Sequence, residues 1–122
     1  MYLDGFVLPV PADKTDTYKT MAEGAATIWM EHGALAYREM LLDPTDKPHE
    51  FGMSFPQLAQ PKEGETIVFA YILYRDKAHR DKVNAKVMAD PRMDPSQFPD
   101  MPFDCNRMAY GGFTSLVEHG NG

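Results

Sequence analysis

The chain has 122 residues, a length that one domain fills, and a domain of that size can bury roughly two-thirds of its unfolded surface without staples. Hydrophobic residues at 43% and charged ones at 25% exclude a disordered tail, and no apolar run approaches the ~20 residues of a transmembrane helix. A net charge of −6 argues against a nucleic-acid partner, whose phosphates demand a basic surface.

In chain order, Met1-Tyr2-Leu3-Asp4-Gly5 lacks the basic segment and apolar stretch of a signal peptide. Cys105, the single cysteine, has no internal disulfide partner, so a cytoplasmic location is expected. Residues 2–10 read as a strand closed by Pro9 and Pro11, with Gly5 marking a bulge or a close backbone approach. Asp13 is the expected N-cap of a first helix. Tyr18, Met21, Ala22, Ala25, Ile28, Trp29 and His32 recur at spacings of three and four, and Gly33 ends the helix.

Residues 34–42 predict a second strand covered on both faces. The long connection 43–65 carries four prolines, and the alternation of Phe51, Met53 and Phe55 predicts a short edge strand inside it. Residues 66–74, β-branched and aromatic throughout, predict the strongest strand. Asp76 caps a second helix running to about Ala89, ended by Asp90-Pro91. His79, Val83 and Val87 share one face of it, and Ala78, Ala85 and Ala89 lie opposite, which predicts contact from two sides. Residues 92–105 read as loop, and 106–118 as a last strand with Gly111-Gly112 at its middle; the tail 120–122 is expected to fray.

The order β-α-β-β-α-β predicts an α+β ferredoxin-like sandwich over residues 1–122, with an antiparallel sheet and both helices on one face. Phe69, Tyr71, Met108 and Tyr110 are expected on the other face. They are too apolar to leave in water, so a twofold-related copy is expected to cover them.

Three stretches carry a resemblance: Tyr2-Leu-Asp-Gly-Phe-Val-Leu-Pro-Val-Pro11, Trp29-Met-Glu-His-Gly-Ala-Leu-Ala-Tyr37 and Ala78-His-Arg-Asp-Lys-Val-Asn-Ala-Lys-Val-Met-Ala-Asp-Pro91. With Lys62-Glu-Gly-Glu-Thr66, Met101-Pro-Phe-Asp104 and Arg107-Met-Ala-Tyr-Gly-Gly-Phe113, they resemble the YbaA-like bacterial family of unknown function across essentially the whole chain. That resemblance implies the dimeric α/β-barrel superfamily, in which two ferredoxin-like sheets close face to face. Its members include cofactor-independent monooxygenases, haem-degrading enzymes, lactone isomerases and binding proteins, so the fold does not choose a function. Some relatives carry a label connecting them to a signal-recognition RNA, which the acidic charge of this chain does not support.

Superfamily pockets lie between helices and sheet. Trp29 and His32 on the first helix, and His79 and Asn84 on the second, are therefore candidates to line one, with Tyr71 from the sheet completing a polar cluster. The proposed roles are His32 or His79 as base, Tyr71 and Asn84 as orienting groups and Trp29 as a stacking platform. The plainer readings are core packing for His32 and Trp29, and a partial helix cap for His79.

Arg107 is expected to face the barrel interior or a partner, with Asp4 or Glu39 as its carboxylate. No metal site is expected from histidines at 32, 49, 79 and 119, and no phosphate loop from Gly111-Gly112, so no cofactor is expected. Cys105 has no strongly basic surroundings and reads as an ordinary thiol. The run Arg75 to Lys86 is cationic but interrupted by Asp76 and Asp81, and reads as a solvated helix face.

The leading functional expectation is a small-molecule site in a homodimer, serving proton transfer or oxidation of an aromatic or quinone-like ligand. The alternatives are a filled-core interaction dimer and an RNA-associated protein.

Overall fold

β1 (Tyr2–Pro11) lies inside the sheet, antiparallel to β3 (Glu65–Tyr74) on one side and to β4 (Ala109–Thr114) on the other; β2 (Ala36–Leu41) pairs with β3 at the far edge. In this computed structural model, which describes residues 1–47, 50–98 and 100–120, the strand order is β2-β3-β1-β4, the ferredoxin-like arrangement expected from the sequence. His49 and the end of the tail, residues 121–122, fall outside the described residues. Strand β4 covers only Tyr2–Val7 of β1, so Pro9 and Pro11 fall where β1 has become an edge, a position that tolerates a missing N–H.

Strand parity assigns the faces. Even positions of β1 and β3 and odd positions of β2 look toward α1 (Thr15–Glu31) and α3 (Lys77–Ala89). Leu8, Val10, Val68 and Ala70 pack there against Tyr18 and Ala22 of α1. A second cluster joins Ile72 and Tyr74 to Ile28, Ala34, Val83 and Val87. Helix α3 thus buries the face predicted for it, His79, Val83 and Val87, whereas Ala78, Ala85 and Ala89 are exposed; alanine favours the helix without needing cover.

Helix α1 follows a 3-10 turn at Ala12–Lys14 and begins at Thr15 with no side-chain cap, rather than being capped by Asp13. Gly33 ends it at φ +110°, as the sequence predicted. Asp76 does cap α3, accepting the His79 N–H at 2.7 Å.

Five further expectations are corrected. Strand β2 is an edge strand with Met40 and Leu41 exposed, not a strand covered on both faces. The edge strand expected near Phe55 is instead the short helix α2 (Phe55–Ala59); Ser54 and Gln57 form a reciprocal capping box, and Pro56 sits in its first turn. Helix α2 lies on the sheet face opposite α1, where Phe55 meets Phe69 edge-on at 5.8 Å.

The last strand spans only 109–114. Met108 and Tyr110 turn toward the helices, Met108 against the core and Tyr110 stacked on Phe6 at 6.5 Å. The open face instead carries Met40, Phe69 and Phe113, all exposed, together with Tyr71. Arg107 precedes β4 in a 3-10 turn and pairs with Glu65, both contacts at 2.8 Å, rather than with Asp4 or Glu39. Among the described residues, no helix is long and apolar enough to cross a membrane.

Candidate functional site

Between the helices and the sheet lies a cavity of about 510 Å³. Its floor can be read from the strand register: Ala70 pairs with Phe6 on one side and Glu39 on the other, and Ile72 pairs with Asp4 and Tyr37. Beyond Asp4 comes Gly112, and beyond Phe6 comes Tyr110. Space exists because small residues sit at the middle of the floor and in the roof, Ala70 below and Ala22 and Ala25 of α1 above. Gly112 is also required, since the Tyr2 phenol occupies the place its Cβ would take. Met21, Met88, Met93, Met101 and Met108 supply adaptable apolar walls, with Phe98 and Phe103 from the segment before β4.

Two polar clusters stand in this apolar frame. At one end Asp4, 8% exposed, accepts from Arg80 at 3.0 Å, and Arg80 stacks on Tyr2 at 4.9 Å and donates to its hydroxyl at 3.2 Å. Burial raises the Asp4 carboxyl above the ordinary aspartate value, and the Arg80 charge and a hydrogen bond from Asn84 pull it partly back. The Asn84 carbonyl oxygen accepts from Trp29 Nε1 and from the Tyr74 hydroxyl, both at 3.3 Å.

At the other end Glu39 is held between two tyrosines. Tyr18 donates to Oε1 at 2.5 Å and Tyr37 to Oε2 at 3.0 Å. Burial, reinforced by the Glu39 charge, pushes both phenols well above the usual tyrosine range, so both remain protonated donors.

Of the residues singled out in the sequence, Trp29 and Asn84 meet each other at the cavity. His32 and His79 are elsewhere, and Tyr71 only borders the floor. His32 pairs with Asp90 at 2.9 Å at the C-terminal ends of α1 and α3, outside the cavity lining. His79 is committed to local structure, its Nδ1 accepting the Arg75 N–H at 3.0 Å and its ring edge-on to Tyr74 at 5.8 Å. Tyr71 borders the floor, but its hydroxyl accepts from Arg38 at 2.8 Å on the open face, so it does not join the histidines.

Sequence reasoning named Asp4 and Glu39 only as carboxylates for Arg107, Tyr18 only on the helix stripe and Arg80 only within a solvated run, and placed none of them, nor Tyr37, at a site. Counting parity outward from the buried Leu8 and Val10 places Asp4 inward, and that signal was legible. Arg80 is turned inward to Asp4, so the cationic run on α3 presents one charge fewer to solvent. Among the described residues no cluster of three or more His, Cys, Asp or Glu is placed to hold a metal ion.

Comparison with known sequences decides the family. The sequence profile of the family described as "Protein of unknown function (DUF1428)" matches residues 1–105. The chain belongs to this family. It is 44% identical over 118 residues to the uncharacterized protein YbaA of Escherichia coli K12, covering 96% of this chain and 97% of that one, and equally similar to YbaA of Shigella flexneri. Among solved structures, an uncharacterized NIPSNAP domain protein from Burkholderia xenovorans superposes with a TM-score of 0.59 at 14% identity, over 99% of this chain and 100% of that one. At that identity the likeness shows the fold alone, and it agrees with the DUF1428 chain being a ferredoxin-like α+β domain.

Proposed function

We propose that the chain binds a small, largely apolar molecule bearing a hydroxyl or carbonyl group between its helices and its sheet, and moves a proton on it through Asp4. The observation that carries this reading is a cavity of about 510 Å³ whose apolar lining encloses two carboxyl groups. Of the two, Asp4 fits the proton-transfer role, because burial holds its carboxyl nearer to neutrality than an ordinary aspartate. Both Glu39 oxygens are engaged by tyrosine hydroxyls, which suits a positioning acceptor.

The reading is tested by thermal unfolding with 2-naphthol as probe, since a ligand of the native state must raise the midpoint. The midpoint of the unaltered chain is expected to rise with probe concentration, and that of Ala25→Phe, which fills the cavity from α1, to stay still. A filled-core protein would show no rise in either.

The open sheet face favours a second, compatible reading: a homodimer. Met40, Phe69 and Phe113 are between 44% and 63% exposed on one surface. An apolar patch of that kind is characteristic of an interface, and a second copy would cover it isologously.

A further inference from the structure

We infer that the ligand of this cavity is a flat molecule with a hydroxyl at each end, one hydrogen-bonded to Asp4 and the other to Glu39. The inference rests on the cavity reading above and specifies the chemical class that reading leaves open. Asp4 sits on β1 opposite Ile72 and Glu39 on β2 opposite Ala70, with β3 between them, so the two carboxylates lie on a diagonal of two strand spacings and two residues across the floor, roughly 12 Å. Between them the floor is Ala70, Phe6 and Ile72, with no polar side chain pointing up. The roof above that strip includes Ala22 and Ala25, so small residues face each other across the cavity and suit a flat occupant.

The ends are matched in kind. Each carboxylate oxygen has two acceptor sites, and those of Glu39 each take one donor from a tyrosine, which leaves capacity for another. Asp4 likewise accepts from Arg80 and Asn84 with capacity to spare. Both ends therefore accept, and the complementary molecule donates at both. A carbonyl at either end would meet an acceptor and be disfavoured. Two fused aromatic rings span such a gap, and the methionine and aromatic walls suit their faces and edges.

Calorimetric titration of the full chain with 2,6-dihydroxynaphthalene, 2-naphthol and 2,6-dimethoxynaphthalene tests this directly, because the three share a ring system and differ in donors. Affinity is expected to fall at least tenfold from the diol to the naphthol, and further to the dimethoxy compound. Asp4→Asn and Glu39→Gln should each reduce diol affinity to the naphthol level. The ligand series on the unaltered chain decides the matter even where a variant does not fold. Equal affinity for diol and naphthol overturns the two-ended ligand and leaves the cavity reading standing. Failure of all three to bind, or binding that Ala25→Phe does not weaken, overturns both.

Discussion

Asp4 shows how one buried charge shapes its surroundings. It is 8% exposed on an apolar floor, and Arg80 supplies its counter-charge at 3.0 Å. Removing one member of such a pair leaves the other uncompensated. Arg80→Met is therefore expected to lower unfolding free energy by roughly 3 kcal/mol at pH 7, more than Asp4→Leu/Arg80→Met together, as read by urea denaturation. The sign of the pH effect follows from the raised Asp4 carboxyl. A folded state that holds the proton more tightly than the unfolded chain is penalised once pH rises through the folded pKa, and the penalty vanishes below the unfolded value. In Arg80→Met the deficit should accordingly shrink as pH is lowered from 7 toward 4, and a constant deficit would refute the account. The sequence contained the parity that turns Asp4 inward, but not the identity of its partner. Arg80 lies 76 positions away on a helix whose charges otherwise read as solvent-facing, and only the packing of α3 over β1 brings the two together.

At the level of elements, helix α1 keeps a glycine that nothing explains sterically. A Cβ on Gly24 would meet nothing within 4 Å, and the residue is exposed in the middle of the helix. Gly24→Ala is expected to stabilise the fold by about 0.5–1 kcal/mol, seen as a higher thermal midpoint with unchanged probe binding. The start of β3 and the turn before β4 are joined by Glu65 and Arg107, and that contact holds the Glu65 carboxyl down at about 2, mainly through the hydrogen bonds from Arg107. A depressed folded-state pKa contributes stability above the unfolded value, near 4.5, which is lost as pH falls toward 2. Arg107→Gln should flatten the stability-versus-pH curve in that window, as followed by denaturant midpoints. Local signals account for what was legible here. The three-and-four spacing of α1, the β-branched run of β3 and the Asp76 cap of α3 are each written within one element. The alternation of Phe51, Met53 and Phe55 imitated a strand, while Ser54, Pro56 and Gln57 carried the stronger helix-start signature. The end of β4 was not legible, because pairing with β1 stops at Tyr2↔Thr114 and nothing in 115–118 announces it.

The whole molecule has two apolar regions with different destinies, and they lie on opposite sides of one sheet. Element order fixed the topology, since right-handed β-α-β crossovers within one sheet leave a β-α-β-β-α-β chain few alternatives. The cavity was another matter: it arises from small residues on three separate elements, Ala22 and Ala25 of α1, Ala70 of β3 and Gly112 of β4, that only the folded register superposes. Because strand side chains alternate, an odd position of β3 other than Tyr71, which borders the cavity, can be changed on the open face with the cavity floor left untouched. Phe69, 44% exposed and edge-on to Phe55, is such a position. A charge there would be buried without a partner in a face-to-face dimer, at a cost of several kcal/mol per copy, yet it would remain solvated in a lone protomer. Phe69→Glu is therefore expected to halve the mass seen by sedimentation equilibrium while 2-naphthol still raises the thermal midpoint. Loss of probe binding together with the mass change would mean that the site needs the second copy. An unaltered chain already sedimenting as a protomer would remove the dimer and leave the cavity to stand alone.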